Sequence, residues 1–148
     1  MPDFEILRKK PFNLEEKQLE WVRDTLSSMS LHEKIGQLFH LVTYTSDESF
    51  LKDICERYAP GGMMARALPY KEACRVSNTL QKYSKIPMLI SANLESGGDG
   101  IVKEGTNVGP NMLIGATSDV SFAALQGEVA AAEGIAVGAN YAFAPVID

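Results

Sequence analysis

The chain alternates between helical and strand-like patterns of hydrophobic residues. Asn13 with Glu16 has the spacing of a capping box and predicts a helix that runs to about Ser28. Short apolar runs then predict four strands, and amphipathic stripes between them predict helices. The predicted strands are residues 38–44, 63–65, 87–93 and 139–148. The predicted helices are residues 47–58, capped by Asp47 and with Phe50 facing inward, a helix that begins at Pro69 and stops before Pro87, and residues 118–133, ended by Gly134.

This alternation predicts an α/β fold with parallel strands and helical crossovers. A doubly wound sheet and a β/α barrel both fit the pattern, and periodicity does not separate them. The last predicted strand reaches the C-terminus with nothing after it, where its neighbour's hydrogen bonds would be missing. We therefore expect a truncated chain, with an N-terminal arm over residues 1–12 and the folded portion over residues 13–148.

Composition and charge restrict the classes of partner. The chain has 148 residues, 45% hydrophobic and 22% charged, with a formal net charge of −5. Basic residues cluster only at Arg8, Lys9 and Lys10, so this negative chain is not expected to bind nucleic acid or an anionic membrane. Neither a signal peptide nor an apolar run of membrane-spanning length is visible, and Cys55 and Cys74 are expected to be free thiols. We expect a cytoplasmic protein.

Polar residues follow the predicted strands. Asn93 ends the third strand and Glu95 follows it, Arg66 comes after the second, and Asp148 ends the last. Side chains at the carboxyl ends of parallel strands converge on the ligand site of such folds. An amide and a carboxylate suit a polyhydroxylated ligand, which offers both donors and acceptors. The alternatives are a solvated turn for the Asn93 region, a salt bridge for Arg66 and a loop-starting aspartate for Asp148.

Other types of chemistry find little support in the sequence. His40 alternates within the first strand, where a core imidazole is favoured over a catalytic one. No Cys/His spacing is typical of a metal site, and neither a Walker loop nor a nucleophile elbow is present. We expect no metal and no cofactor.

Five segments, in order, resemble the N-terminal barrel domain of family 3 glycoside hydrolases. They are MSLHEKIGQLF, GGMMAR, VSNTLQKYSKIPMLISANLESGG, GTNVGPNMLIGAT and EGIAVGANYAFAPVID. The resemblance implies a partial TIM (β/α)8-type barrel, its N-terminal portion only. It also implies a retaining hydrolase that acts on terminal β-linked glucose or N-acetylglucosamine through a covalent glycosyl-enzyme intermediate on an aspartate.

The same resemblance implies that the nucleophile and the acid/base lie beyond Asp148, so the chain carries no catalytic residue and is expected to be inactive alone. Many members have a sugar-binding Asp in a D-x-E-G-G motif, where this chain has Asn93 and an inserted Ser96. Asn93 and Glu95 would then hold the terminal sugar, and Asp148 would shape the floor of the site. Members that recycle muropeptides tend to carry an arginine where Ile101, Val102 and Lys103 stand, which counts against that substrate.

Two rival interpretations remain open. One is a non-catalytic α/β binding module whose Gly-rich ESGGDG loop cradles a phosphate; such a loop should open directly into a helix. The other is a structural subunit completed by a second polypeptide. For a partial barrel, we expect the open sheet edges to pair with the missing half of the barrel, with another copy, or with nothing stable.

Overall fold

The computed structural model describes residues 4–147, which divide into two compact units at the boundary between Ile35 and Gly36. The first unit contains a 3-10 helical turn, Phe4–Arg8, and helix α1, Glu16–Ser28; α2, Leu31–Gly36, reaches the boundary. The second contains β1 (His40–Thr43), α3 (Glu48–Tyr58), β2 (Gly62–Ala65), α4 (Tyr70–Tyr83), β3 (Leu89–Ala92), α5 (Asn111–Ala116), α6 (Ser121–Ala136) and β4 (Tyr141–Ala142). None of these described helices is long and apolar enough to cross a bilayer.

The four strands of the second unit form one parallel sheet in the order β1-β2-β3-β4. Each strand therefore pairs with the next one along the chain, always on the same side. Because crossovers between parallel strands are right-handed, an order that never reverses keeps all the crossover helices on one face. A doubly wound sheet needs a reversal of strand order. The predicted alternation of strands and helices is confirmed, and its order is that of a barrel wall.

The packing of the sheet follows the same division into two faces. Met63 of β2 and Ile90 of β3 form one buried cluster with Val76 and Leu80 of α4. On the opposite face the small residues Gly62 and Ser91 are buried, but the larger Val42, Leu89 and Tyr141 remain 45–50% exposed. The helices thus bury one face of the sheet, as they do around the outside of a β/α barrel.

Contacts between the two edge strands show that the sheet curves. The ring centroid of His40, on β1, lies 6.1 Å from that of Tyr141 and 5.7 Å from that of Phe143, at β4. Three strand spacings would separate these side chains by about 14 Å in a flat sheet. His40 also reaches across β2, where Gly62 has no side chain, to place its Nε2 2.6 Å from the Ser91 Oγ on β3. These rings therefore converge on the concave face of a curved wall.

Two details of the predicted helices were wrong. Helix α1 begins at Glu16 rather than at an Asn13 cap; the Glu15 N–H donates to Gln18 Oε1 over 2.8 Å, and Asn13 lies outside with a φ of 50°. Phe50, expected to face inward on α3, is 50% exposed. The predicted cap of α3 is confirmed, because the carboxylate of Asp47 accepts a hydrogen bond from the Phe50 N–H.

The C-terminal elements also differ from the prediction. Residues 111–116 form α5, which the sequence left unassigned, and β4 is limited to Tyr141–Ala142. Gly134 does not end α6: it lies inside the helix, where a side chain would come within 2.9 Å of Leu94. The left-handed residue that follows the helix is Gly138, with a φ of 91°. Tight packing against Leu94 thus explains one glycine, and helix termination explains the other.

Ser77 on α4 offers a stability test, because its Oγ is buried without a hydrogen-bond partner among the described residues. Replacing Ser77 with alanine removes this unsatisfied hydroxyl and improves helix propensity, so we expect a gain of about 0.5–1.5 kcal/mol in unfolding free energy. Urea denaturation would measure it. Ser49→Ala is the matched control: its Oγ donates to Asp47 Oδ1 over 2.7 Å, so that variant should gain nothing. A loss of stability in Ser77→Ala would contradict this reasoning.

Candidate active-site rim

The strand register brings the residues that follow the four strands into one row. This row consists of Tyr44, Arg66, Asn93 and Phe143. Each of the four continues the alternation of the residues on the concave face of its strand. The row is therefore the rim of the curved wall at the carboxyl ends of its strands, where barrel enzymes carry their active sites. Of the sequence-predicted residues, Arg66 and Asn93 are brought together here.

Arg66 is exposed and contacts an aromatic ring of the same row. Its guanidinium carbon lies 5.8 Å from the centroid of the Tyr44 ring, which is within cation–π range. Within residues 4–147, no carboxylate lies at ion-pair distance from this guanidinium, so the salt bridge considered as an alternative is not formed there. The five N–H donors of Arg66 are thus held near the rim.

Asn93 is half-buried, and the loop that follows it folds back onto its backbone. A Cβ added to Gly100 would overlap the carbonyl oxygen of Asn93 and would lie 2.6 Å from its carbonyl carbon. Only a glycine lets the chain approach this closely. Residues 93–110, which connect β3 to α5 and are called the β3–α5 loop below, therefore press against the backbone of the predicted sugar-binding residue.

Glu95 lies beside the rim, in the wall of a cavity of about 540 Å³. The cavity is bounded mainly by small apolar residues of α5, α6 and the segment at β4, such as Ala123, Ala130 and Ala142. Such a lining suits apolar side chains more than sugar hydroxyl groups. The backbone oxygen of Glu95 accepts a hydrogen bond from Gln126 Nε2 over 2.8 Å.

The β3–α5 loop does not have the form of a phosphate cradle. Gly98–Gly100 is a 3-10 turn, and the chain continues to Pro110 before the next helix begins. The carboxylate of Glu133 already occupies the loop, because it accepts hydrogen bonds from Thr106 N (2.8 Å) and Thr106 Oγ1 (2.5 Å). A bound phosphate would be repelled by this carboxylate. A phosphate-binding loop should open directly into a helix, and this loop does not. The structure therefore disfavours the phosphate-binding module and favours the barrel domain.

The remaining predicted residues have different outcomes. Asp148 lies outside the described residues. His40 is not the core imidazole that the sequence favoured: it stands exposed below the rim on the concave face, and partial burial of its ring lowers the pKa of the imidazole. Its hydrogen-bonding partner is Ser91. Among the residues that the structure describes, no group of three or more His, Cys, Asp or Glu side chains is placed to hold a metal ion.

Sequence reasoning missed the two aromatic members of the rim. Tyr44 is 72% exposed, and the Phe143 ring lies 5.1 Å from that of Tyr141, between the ring centroids. Both continue an alternation that starts inside a strand, at His40 and at Tyr141, and this signal could have found them. An aromatic face can pack on the apolar face of a sugar ring while amides and carboxylates bind its hydroxyl groups.

The fold and the rim define the first part of a (β/α)-barrel enzyme domain, with polar and aromatic residues at the carboxyl ends of its strands. Sequence comparison gives the family: the family described as "Glycosyl hydrolase family 3 N terminal domain" matches residues 30–148. The chain therefore belongs to glycosyl hydrolase family 3, and its residues 30–148 match the N-terminal domain of that family. The resemblance and the barrel fold inferred from the sequence are confirmed.

Relatives of known name agree with this assignment. The chain is 42% identical over 142 residues to a beta-N-acetylglucosaminidase/beta-glucosidase of Cellulomonas fimi, covering 96% of this chain and 25% of the relative. The structure of a beta-glucoside phosphorylase, BglX, bound to 2FGlc matches 95% of this chain and 26% of its own length, at a TM-score of 0.88 and 41% identity. The structure of a family 3 beta-N-acetylglucosaminidase from Paenibacillus sp. str. FPU-7 matches 80% of this chain and 24% of its own length, at a TM-score of 0.69 and 26% identity. The chain spans about a quarter of the length of these relatives.

Proposed function

We propose that this chain is the N-terminal part of a retaining glycoside hydrolase that acts on terminal β-linked glucose or N-acetylglucosamine. The observation that carries the proposal is the rim of a family 3 barrel domain in which Arg66 and Asn93 stand in one row. Asn93 would hydrogen-bond sugar hydroxyl groups, Glu95 would act beside it, and Asp148 would shape the floor of the site. The catalytic nucleophile and acid/base would come from residues beyond Asp148.

The acceptor of the glycosyl group is a part of this proposal that can be tested separately. One relative at about 40% identity is named as a glucosidase and another as a phosphorylase. Water or phosphate would therefore release the sugar from the intermediate. We expect the whole protein, but not the 148-residue chain, to release nitrophenol from nitrophenyl β-glucoside or β-N-acetylglucosaminide. Turnover that rises with inorganic phosphate would identify a phosphorylase. Turnover by the 148-residue chain alone would refute the proposal that the nucleophile and the acid/base lie beyond Asp148.

Asn93 gives the sharpest test of the sugar-binding role. In the whole protein, Asn93→Ala should lower kcat/KM by about tenfold, because a hydrogen bond to a sugar hydroxyl is lost. Asn93→Asp should raise kcat/KM above the wild-type value by severalfold, since hydrogen bonds to a charged group are stronger than neutral ones. Steady-state kinetics would measure both. Asn78→Ala, at an exposed position on α4, is the matched control and should leave kcat/KM unchanged. Unchanged kinetics for both Asn93 variants would remove Asn93 from the site.

We further propose that the open edges of the sheet associate with the missing barrel half or with a second copy of the chain. In the order β1-β2-β3-β4, the outer edges of β1 and β4 have no paired neighbour among the described strands. Apolar side chains near them are exposed, including Leu38 at 83% and Ile147 at 90%. Light scattering of the 148-residue chain should give a mass above that of the monomer; a monomer at all concentrations would contradict self-association.

Three further assignments remain proposals. Residues 1–12 would form an arm, residues 13–148 would be the N-terminal portion of the barrel domain, and the protein would act in the cytoplasm on carbohydrates. The formal net charge of −5 supports the expectation that the partners are sugars rather than nucleic acid or anionic membranes. Fractionation of cells that express the whole protein would test its location.

A further inference from the structure

Two polar side chains of α6 reach the β3–α5 loop. Gln126 and Glu133 are seven residues apart, which is about two helical turns, so they project from the same side of the helix. Between them Ala130 is buried. This side of α6 therefore faces the second unit's interior, and its two polar groups need partners there.

Gln126 joins the two ends of the loop. Its side chain is 8% exposed, and its Nε2 donates one hydrogen bond to the Glu95 carbonyl oxygen over 2.8 Å and another to the Gly109 carbonyl oxygen over 2.7 Å. The two N–H groups of this one side-chain amide donate to backbone oxygens that lie fourteen positions apart along the chain. The side chain thus closes the loop at its base, beside Glu95.

Glu133 holds the middle of the same loop. Its carboxylate accepts hydrogen bonds from Thr106 N and Thr106 Oγ1, and a Cβ on Gly98 would lie 2.6 Å from the Glu133 Cβ. The glycine lets the loop lie directly on this side chain. Because the Gly98–Gly100 turn in turn lies on the Asn93 backbone, a shift of the loop away from α6 would release Asn93.

We propose that Gln126 and Glu133 are positioning residues that hold Asn93 and Glu95 at the rim through the β3–α5 loop. This inference rests on the proposed function, because it assigns to α6 the task of fixing the sugar-binding residues. Neither side chain touches the sugar. Their effect on turnover comes from the geometry of the loop, and small displacements at a binding site lower rates strongly.

Hydrogen exchange tests whether the two residues hold the loop. We expect amides of residues 96–109 in the 148-residue chain to exchange about tenfold faster in Gln126→Met and Glu133→Leu, since loss of these hydrogen bonds favours local opening. Glu133→Gln keeps an acceptor for Thr106 N and should stay within about threefold of wild type. Thr106→Val removes one bond from the loop side and should also accelerate exchange, even if the α6 variants do not fold.

Gln81→Met is the matched control. Gln81 is also a helical glutamine that bonds a backbone, with Nε2 2.9 Å from Met88 O and Oε1 3.1 Å from Met88 N, but it acts at the amino end of β3. This variant should leave exchange in residues 96–109 unchanged. Equal acceleration in Gln81→Met, or none in Thr106→Val and Glu133→Leu, would overturn the proposal that α6 holds the loop.

Kinetics of the whole protein test the positioning role. Gln126→Met and Glu133→Leu should lower kcat/KM for the nitrophenyl glycosides by about tenfold or more. Glu133→Gln should restore most of it, a rescue that a general loss of stability would not give. A loosened loop with unchanged kinetics would overturn the inference and leave the proposed function standing. If the wild-type whole protein cleaves no β-glycoside, the proposed function fails, and exchange alone decides whether α6 holds the loop.

Discussion

Gly100→Ala is expected to destabilise the 148-residue chain by about 3 kcal/mol or more, because the new methyl group would overlap backbone atoms rather than a movable side chain. The overlap is with the carbonyl group of Asn93, directly after the buried strand β3. Relief requires the loop to move away from the strand end. In the whole protein the same variant should lose turnover through displaced Asn93, and urea denaturation of the chain would measure the stability loss.

Gly127→Ala is the matched control for this substitution. Gly127 lies inside α6, and a Cβ there would meet no atom within 4 Å. Alanine restricts the unfolded chain and favours the helix, so this variant should gain about 0.5–1 kcal/mol. Opposite signs for two glycine-to-alanine changes would separate close approach from helix propensity. An unchanged unfolding midpoint in Gly100→Ala would show that the loop yields easily.

Asn140→Leu is expected to cost about 2–3 kcal/mol in unfolding free energy, because it leaves a buried N–H of β3 without its partner. Asn140 lies just before β4, and its side-chain amide pairs with the β3 side of the junction as the backbone of a neighbouring strand would. Its Oδ1 accepts a hydrogen bond from the Ile90 N–H over 2.7 Å, and its Nδ2 donates to the Met88 carbonyl oxygen over 3.0 Å. Ile90 and Met88 are fully buried, so water does not replace these bonds. Chemical denaturation would measure the loss.

Asn111→Leu is the comparison for Asn140. The Asn111 amide is exposed and makes one hydrogen bond, from Nδ2 to the Val146 carbonyl oxygen over 3.1 Å. Water can take its place, so the variant should stay within about 0.5 kcal/mol of wild type. Equal effects of the two substitutions would show that the bonds of Asn140 to β3 contribute no special stability to the junction of β3 and β4.

Two of the four rim residues were visible in the sequence because each is a polar residue at the end of an apolar run. Asn93 and Arg66 follow apolar runs directly, so placing the strands also placed these residues. Tyr44 and Phe143 were missed because both are aromatic and lie within the apolar predicted strands 38–44 and 139–148, where no polar side chain marks the end of the strand. The extent of each strand depends on the neighbour with which it pairs, and that information is not local.

The roles of Gln126 and Glu133 could not be predicted from local pattern. Within an alanine-rich helix both look like solvent-facing polar positions. Their partners lie on the β3–α5 loop, up to 31 positions away for Gln126 and Glu95. Only the folded arrangement of loop and helix shows that these side chains face inward.

The sequence by itself determined the alternation of strands and helices and, through the Asp47 cap, the start of α3, because hydrophobic periodicity and capping act over a few neighbouring positions. It left open whether the parallel sheet is flat or curved. The tertiary structure decided this point: strand order without reversal puts the helices on one face, and His40 meets Tyr141 and Phe143 from the opposite edge. Curvature is a property of all the strands together, since it arises from their pairing, their twist and the side chains that fill the concave face.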